Sequence, residues 1–516
     1  MTNTAFKTYA NEHGGRVVLL LLLFLLAIFQ FIHAGFPAFA VICLSPLLII
    51  AVILAFRSNM LVFWVLIVIN AFLQNKNFHF PGPMSLYNEV LEILLLALAL
   101  IDVKNSHFNR IHNVMLLTLM VWCGYCTLQV LNDTCSLGMD VGAWYTGARL
   151  MAFQIIYVFL VFSIYISKPD ILIKYLFIWG ALALFAAFWT WKQVNFGLTP
   201  AENSFLYGRG RTTHLLQAGT LIRYFSTYSD AANFGIGIAS TAVAFIIFGI
   251  TAKIRKHKYF FLIVGGACAW AMFPSGTRTA TACLMAGLMT YIFLSKSLKI
   301  AIPFSIIFGL FVFILAFTNI GQGNQQIRRM RTAFDKNDAS ANARTINQAA
   351  MKKYMKEAPF GIGIAQGYGS IPANNKYSYM SDVPADSEYV YIWIRTGEVG
   401  ITLFIICTVI MLFGACWIVF FTLKSPSLRG IGAGMCCAFV SFQLGGYGNQ
   451  VLMQFPNCLQ FYGGLTIVYV LPFIEKEWIT HETKLLAVQD EKRRLRLEKI
   501  EKMRVKPWYS WIYKYL

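Results

Sequence analysis

Residues 400–421 read GITLFIICTVIMLFGACWIVFF and contain no charged side chain. A helix rises about 1.5 Å per residue, so this run covers about 33 Å, slightly more than the roughly 30 Å hydrocarbon core of a bilayer. It belongs to a predicted span at 396–421, and we count about 14 such apolar windows in the chain. The others lie approximately at 17–34, 36–56, 59–75, 86–102, 112–131, 146–166, 171–191, 231–250, 258–274, 277–294, 298–316, 429–449 and 456–473. The sequence therefore predicts an all-α, polytopic membrane protein.

The composition of the chain agrees with this fold class. Of its 516 residues, 58% are hydrophobic and only 13% are charged, whereas ordinary soluble proteins carry about 25% charged residues. These figures exclude a water-soluble enzyme. One polytopic domain at 1–473, followed by a basic tail at 474–516, describes the chain better than a series of soluble domains.

The net charge of +20 comes from 43 Lys and Arg against 23 Asp and Glu, and its distribution predicts an orientation. Basic residues such as Lys104, Lys253 and Lys424 recur in alternate short loops, which the positive-inside rule makes cytoplasmic. Both termini then lie in the cytoplasm, and the basic tail covers anionic membrane lipid. Two long loops, at about 192–230 and 317–395, are exported, and the larger one is predicted to contain helices. Nucleic-acid binding is excluded, because no soluble fold with interleaved basic and aromatic residues is present.

Cysteine and histidine carry no recognisable metal or redox pattern. Most of the 11 cysteines lie in apolar windows, and the Cys123–Cys126 pair sits within a span instead of at a helix start. The 8 histidines show no ligand spacing, so no metal site is predicted. The glycines at 361, 363 and 367 follow a helix end and not a strand, which argues against a nucleotide loop. We predict no cofactor.

Three arginines lie next to span ends on the predicted exported face. Arg223 precedes the span at 231–250, where Ser229 or Asp230 is a candidate N-cap, and it could equally be an interfacial anchor. Arg278 follows a tight Pro-Ser-Gly-Thr turn whose free N–H groups would favour an anion, although simple snorkelling is the alternative. Arg344 is predicted in the first turn of a helix capped by Asp338 or Ser340, where it would oppose the helix dipole. An anionic ligand would account for all three.

The acidic candidates precede the span at 396–421. Asp386 and Glu388 are the acids best placed to face the arginines, although Asp386 and Ser387 could also be ordinary N-caps. We predict an N-cap role for Ser387. For Asp386 we favour a base or an arginine partner. Tyr389 could stack on a sugar ring, or belong to an interfacial aromatic belt.

The order of these motifs resembles the O-antigen ligase and O-antigen polymerase superfamily of bacterial membrane glycosyltransferases. The similarity covers roughly residues 205–450. It comprises Arg223 with Asn233-Phe-Gly235, the turn Ser275-Gly-Thr-Arg278, Arg344 with Pro359-Phe-Gly-Ile-Gly363, and Asp386-Ser387-Glu-Tyr389 with Gly397-Glu-Val-Gly400. Ligases of the family usually carry a His-Asn pair where this chain has Asp386-Ser387. This departure favours a polymerase-like or divergent member and leaves ligase and polymerase open.

The resemblance implies an inner-membrane enzyme acting at the periplasmic face on a polyprenyl-diphosphate-linked glycan. Arg278 and Arg344 would act in catalysis, and Arg223, Glu388 and Tyr389 would bind substrate. Asp386 would deprotonate the hydroxyl of the acceptor, either a glycan or a lipid A core, for inverting displacement without metal or nucleotide. The alternative from the sequence is a transporter or flippase of lipid-linked glycan, whose expected marks are internal repeats, broken spans and acids within the membrane. Glu89 and Glu92 are the main acids in a predicted span.

Overall fold

The computed structural model describes residues 58–78, 83–216, 221–295, 339–382 and 385–504, together with isolated positions between 15 and 29 and between 302 and 328. The first eight helices are α1 (Asn59–Phe72), α2 (Ser85–Ile101), α3 (Val114–Leu128), α4 (Val141–Ala148), α5 (Gln154–Tyr165), α6 (Pro169–Phe196), α7 (Pro200–Tyr207) and α8 (Arg211–His214). The others are α9 (Ala231–Thr251), α10 (Arg255–Ala271), α11 (Arg278–Leu294), α12 (Ala339–Met355), α13 (Ser378–Asp382), α14 (Glu388–Trp417), α15 (Pro426–Gly448) and α16 (Asn457–Arg504). A short antiparallel pair joins β1 (Leu215–Leu216) to β2 (Leu221–Ile222). π-Helical turns occur at Arg149–Phe153 and Ile418–Thr422.

The contacts divide the chain into two units, residues 1–65 and residues 66–516. In the first unit, the rings of Phe63 and Trp64 lie 5.1 Å apart, edge to face. The site residues discussed below all belong to the second unit.

The helices confirm an all-α polytopic membrane protein. Within the described ranges, seven helical segments are long and apolar enough to cross a bilayer, and α1 and α11 are shorter apolar helices. The seven are Val114–Leu131, Val141–Tyr165, Pro169–Phe196, Ala231–Thr251, Glu388–Thr422, Pro426–Gly448 and Asn457–Glu498. The predicted spans at 17–34, 36–56 and 298–316 lie outside the described residues or are represented there only by isolated positions. In the described part, α16 continues without a break from the last predicted span into the basic tail.

The centre of the second unit is α9, which is apolar around its whole circumference and buried along almost its whole length, as expected of a core helix. It packs against α10, α11 and α15. Gly235 permits a close approach, because a Cβ atom there would collide with the Ser275 side chain. Asp230 caps the helix by accepting hydrogen bonds from the N–H groups of Ala232 and Asn233, at 2.8 and 2.9 Å. The predicted cap is therefore confirmed, at Asp230.

A kink divides α14 at Gly397, whose φ of 76° and ψ of −173° are not helical. At the kink, backbone carbonyls of α14 accept hydrogen bonds from N–H groups of the glycine-rich segment 359–363. Ile362 N–H donates to the Ile394 carbonyl at 2.9 Å, and Gly363 N–H donates to the Arg395 carbonyl at 3.0 Å. A side chain at Gly397 would collide with the backbone of this segment. The predicted boundary at 396 is thus the kink, and the helix itself begins at Glu388.

The two acids of α2 are buried and have protein partners. Glu89 pairs with Arg149 across 3.4 Å, and both oxygens of Glu92 accept from the Gln154 amide, at 2.8 and 2.7 Å. Arg149 begins the π-helical turn that leads into α5, and Gln154 is the first residue of α5. These contacts join α2 to α5 and give the two carboxylates a packing role.

Candidate active site

Arg223 lies between β2 and α9, and three protein acceptors fix its guanidinium. Its Nε donates to the Ser275 carbonyl at 3.2 Å, while its two terminal nitrogens donate to the Thr213 carbonyl and to Thr277 Oγ1, each at 2.9 Å. A guanidinium has five N–H groups, so each terminal nitrogen keeps a second donor. Arg223 is therefore rigidly placed and can still bind an anion.

The turn before α11 is as tight as predicted, with Gly276 at a positive φ of 57°. However, the N–H of Gly276 donates to the Phe273 carbonyl at 2.9 Å, and that of Thr277 donates to Ser275 Oγ at 3.2 Å. The prediction that this turn offers these N–H groups to a ligand is wrong, because the turn itself consumes them. Arg278, half-buried at the first position of α11, remains its candidate anion-binding group.

The charges around Asp230 are mainly positive. Burial lowers the pKa of Arg223, Asp230 opposes this, and the nearby charge of Arg278 lowers it further. Burial also lowers the pKa of Lys76, again opposed by Asp230. Lys76 Nζ lies 4.1 Å from the centre of the Phe205 ring. We call Lys76, Arg223 and Arg278 the cation cluster.

Lys76 is not among the site residues predicted from the sequence. It directly follows the predicted span at 59–75, on the side of the membrane predicted to be exported, and this placement was the available signal. Like charges close together at a partly buried site are unfavourable unless anions balance them, and Asp230 is one carboxylate beside three cations. The cation cluster is therefore suited to a multiply charged anion such as a diphosphate.

A cavity of about 440 Å³ lies beside the first turns of α14. Its walls come from α4, the Arg149–Phe153 turn, the segment after Gly363 and the loop 449–456. Among its lining residues are Gly367, Glu388, Tyr391, Arg395, Gln450 and Gln454. Its volume falls within the roughly 300–1,000 Å³ that is usual for small-molecule sites.

The two acidic candidates have different surroundings. Asp386 is exposed just before α14. Glu388 is only 3% exposed, lines the cavity, and accepts a hydrogen bond from the Leu452 N–H at 2.9 Å. Asp386 is thus the more accessible carboxylate, and Glu388 the one held in place within the cavity.

Tyr389 and Ser387 make contacts other than those predicted for them. The Tyr389 hydroxyl donates to Gln443 Oε1 of α15 at 3.0 Å, and Tyr391 is the tyrosine that lines the cavity. Ser387 occupies the N-cap position of α14, but its hydroxyl donates to the Gly446 carbonyl at 3.0 Å and makes no capping bond. The predicted cap function of Ser387 is wrong, because its hydroxyl is directed at the Gly446 carbonyl of α15 and accepts no hydrogen bond from the first N–H groups of α14.

Arg344 lies in α12, which is described from Ala339. Arg344 is therefore beyond the first turn, and the predicted first-turn position is wrong. The effect of the helix dipole on a cation fades within the first turn, so the dipole no longer argues for an anionic ligand at Arg344. The helix is there, but the side chain of Arg344 and the predicted cap at Asp338 lie outside the described residues.

The loop 449–456 joins the cation cluster to the cavity. Gln454, a cavity residue, accepts at Oε1 from Ser229, at 2.6 Å. On the same loop, Asn449 donates to Thr279 Oγ1 at 3.4 Å. Ser229 adjoins Asp230, and Thr279 adjoins Arg278, so the two regions are neighbours. No sequence signal pointed to this loop, since it reads as a short connection between two spans.

Protein-family comparison bears on the segment that contains Arg278, Arg344, Asp386 and Glu388. Residues 266–405 match the family model Wzy_C, described as O-antigen ligase. The matched segment includes α11, α12, the segment 359–363 and the kinked start of α14. A comparison with curated proteins gave no match. In the part of the chain that the structure describes, no group of three His, Cys, Asp or Glu side chains could hold a metal ion.

Proposed function

We propose that this member of the O-antigen ligase superfamily transfers or polymerises a glycan from a polyprenyl-diphosphate donor at the periplasmic face of the bacterial inner membrane. The observation that carries the proposal is the cation cluster, in which Arg223 and Arg278 lie close together beside the starts of α9 and α11. Arginine pairs bind phosphate oxygens through forked, charge-assisted hydrogen bonds. Because the cluster lies at the ends of membrane-spanning helices, the diphosphate of a membrane-embedded lipid is an anion that it could bind.

The chemistry follows from that placement. The acceptor hydroxyl attacks the anomeric carbon, the bond from that carbon to the phosphate oxygen breaks, and polyprenyl diphosphate leaves with the electron pair. Arg278, Arg223 and Arg344 stabilise the negative charge that develops on the leaving group. Asp386 accepts the hydroxyl proton as general base. A single displacement of this kind inverts the configuration at the anomeric carbon.

Glu388 and Tyr391 contact the glycan in this scheme. Glu388 is held by the loop 449–456, which lies between the cavity and the cation cluster. Its carboxylate can accept hydrogen bonds from sugar hydroxyls. Tyr389, whose hydroxyl is bonded to α15, supports the helix start that carries these groups.

The test is glycan transfer by purified protein in proteoliposomes containing a lipid-diphosphate-linked glycan. Arg278→Ala and Arg344→Ala should each lower the transfer rate by about 100-fold or more, as expected for removal of a group that stabilises developing charge. Lys353→Ala is the matched control, because Lys353 is an exposed cation on the same helix as Arg344. Unchanged transfer by both arginine variants would contradict the proposed diphosphate site.

The same vesicles address the transporter alternative. A carrier would move the lipid-linked glycan across the bilayer without forming a glycosidic bond. The acids that favoured this alternative in the sequence, Glu89 and Glu92, are bonded to Arg149 and Gln154. Movement of donor without new glycosidic product would favour the transporter and overturn the enzyme proposal.

A further inference from the structure

We propose that the cavity beside α14 binds a sugar residue with an anionic substituent, such as the carboxylate of a uronic acid, and that Arg395 pairs with that substituent. The inference rests on the proposed function, since it names the substrate class of the same enzyme. It assigns a role in binding to Arg395, a residue outside the arginine motifs of the sequence.

Arg395 is a buried cation that has no counter-ion in the part of the chain that the structure describes. It is 7% exposed, and among the described residues its guanidinium makes no hydrogen bond or ion pair. Its contact is the ring of Tyr391, whose centre lies 5.2 Å from the guanidinium carbon. A cation–π contact recovers only part of the cost of burying a charge, which is large unless the charge is paired. Arg395 is one of the residues that line the cavity, so a ligand in the cavity can supply the missing anion.

Glu388 is not that anion, although it lines the same cavity. Glu388, Tyr391 and Arg395 occupy positions i, i+3 and i+7, and therefore lie along one face of α14. Seven residues of helix separate the backbones of Glu388 and Arg395 by about 10 Å. Glu388 already accepts from the Leu452 N–H. The cavity thus has a carboxylate at one end, a guanidinium at the other, and an aromatic ring between them.

The backbone that carries Arg395 is held from outside the helix. The Arg395 carbonyl accepts from the Gly363 N–H at 3.0 Å, immediately before the kink at Gly397. A fixed backbone restricts the positions that the guanidinium can reach, so binding costs less conformational entropy than it would on a mobile segment.

The remaining walls favour a sugar over a bare phosphate. Tyr391 offers a ring, and Gln450 and Gln454 bring amide groups. The amide nitrogens of these glutamines donate to Ala385 and Gln450 carbonyls and each carries a second N–H. The cation cluster, which the loop 449–456 contacts through Ser229 and Thr279, already supplies cations for a diphosphate. Arg395 is therefore available for a second anion, on the glycan.

Binding of matched oligosaccharides tests the proposal independently of transfer. The probes are short oligosaccharides that contain glucuronic or galacturonic acid, and their carboxyl-reduced neutral counterparts, with the purified full-length chain in nanodiscs. The wild type should bind at least one acidic probe about tenfold or more tightly than its reduced partner, as expected for a charge-assisted pair. Arg395→Gln should abolish the preference, and Arg395→Lys should retain part of it. Equal binding of every acidic and neutral pair by the wild type would overturn the proposal.

Two further measurements distinguish glycan binding by Arg395 from diphosphate binding. Arg278→Ala should lose transfer yet keep the acidic preference, so failure of the proposed function and failure of this inference are distinguishable. If Arg395→Gln weakens binding of sugar-free undecaprenyl diphosphate as much as Arg278→Ala does, Arg395 serves the diphosphate and the acidic-sugar assignment is wrong.

Thermal stability without glycan separates a binding role from a structural one. Because Arg395 has no protein counter-ion among the described residues, Arg395→Gln should leave the unfolding temperature unchanged or raise it. Added acidic oligosaccharide should raise the unfolding temperature of the wild type and not that of the variant. A large fall in the unfolding temperature of the glycan-free variant would contradict the proposal.

Discussion

His214 shows how one buried side chain supports the region around the cation cluster. Its Nε2 accepts from the Ala231 N–H at 3.0 Å, at the start of α9, and its Nδ1 lies 3.1 Å from the Gly210 carbonyl. Both contacts are satisfied by the neutral ring with a proton on Nδ1. Burial lowers the pKa of His214 from 6.5 to about 4, with Asp230 opposing the shift and the charges of Arg223 and Lys76 adding to it.

The stability of the protein should therefore fall with acid through this residue. Between pH 6.5 and about 4, the unfolded chain binds a proton at His214 that the folded chain does not. The contribution of neutral His214 is complete above pH 6.5 and is lost as the pH falls toward 4. Its full size is on the order of 3 kcal/mol.

Thermal unfolding in nanodiscs from pH 7.5 to 4 measures this effect. His214→Gln should be less stable than the wild type at pH 7.5 and should lose less stability on acidification. His112→Gln is the control, because His112 is exposed. If the unfolding temperature falls equally with pH in the wild type and in His214→Gln, His214 is not the group responsible for the loss of stability.

The proposed role of Asp386 as general base predicts a large effect of its substitution on glycan transfer. Asp386→Asn preserves size but removes the proposed base, so transfer should fall by about 100- to 10,000-fold, while binding of the lipid-linked donor is retained. Glu388→Gln, which keeps the hydrogen-bonding shape of a cavity residue, should impair glycan binding more than the chemical step. Transfer by Asp386→Asn at the wild-type rate across the pH range would remove Asp386 as the base.

At the scale of elements, the junction between α14 and the segment 359–363 is the most specific feature. Gly397 has a φ that side-chain-bearing residues rarely adopt, and a Cβ atom there would meet the Pro359 carbonyl and the Gly361 nitrogen. The bond from Gly363 to the Arg395 carbonyl depends on the same geometry. The junction thus positions one side of the cavity.

Gly397→Ala should lower the free energy of unfolding by about 1–3 kcal/mol from backbone strain alone, and further through the collision. Glycan binding should fall with it. Gly266→Ala is the matched control, since Gly266 is an exposed glycine within α10 with open space around its Cβ position. Alanine there should be neutral or stabilising, because alanine favours a helix over glycine by about 1 kcal/mol. Equal stability of both variants in denaturant or thermal unfolding would argue against a strained junction.

At the scale of the whole molecule, the orientation in the membrane is a prediction from charge. Lys376 belongs to the predicted exported loop and Lys492 to the predicted cytoplasmic tail, and both side chains are exposed. In intact cells, a membrane-impermeant maleimide should label Lys376→Cys and spare Lys492→Cys until the inner membrane is permeabilised. The described native cysteines are buried or half-buried, which keeps background labelling low. The reverse pattern would place the proposed site on the cytoplasmic face and contradict a periplasmic reaction.

Local chemistry explains which features were predictable from sequence. The length of an apolar run determines whether a helix can cross the bilayer, so α9, α11 and α15 were found within a few residues of their bounds. The cap at Asp230 depends on N–H groups two and three residues away, and it was found too. The order of the motifs was enough to predict the superfamily, which the match at 266–405 supports.

The candidate site depended on contacts between residues far apart in the chain. The Ser387 hydroxyl contacts Gly446 of α15, which is 59 residues later in the chain, instead of capping α14. The turn before Arg278 is a local exception, because its N–H groups bond to acceptors only two and three residues away. Lys76 joined the arginines only through packing around Asp230.

The sequence by itself thus determined the fold class and identified the arginines near the span ends, because each depends on composition or on short-range spacing. Tertiary structure alone decided that the loop 449–456 joins the cation cluster to a cavity, and that Arg395 lines that cavity without a counter-ion among the described residues. The physical reason is that burial and pairing are properties of neighbours in space. The kink at Gly397 brings Arg395 next to the segment 359–363, more than thirty residues earlier in the chain, and backbone hydrogen bonds hold the two together.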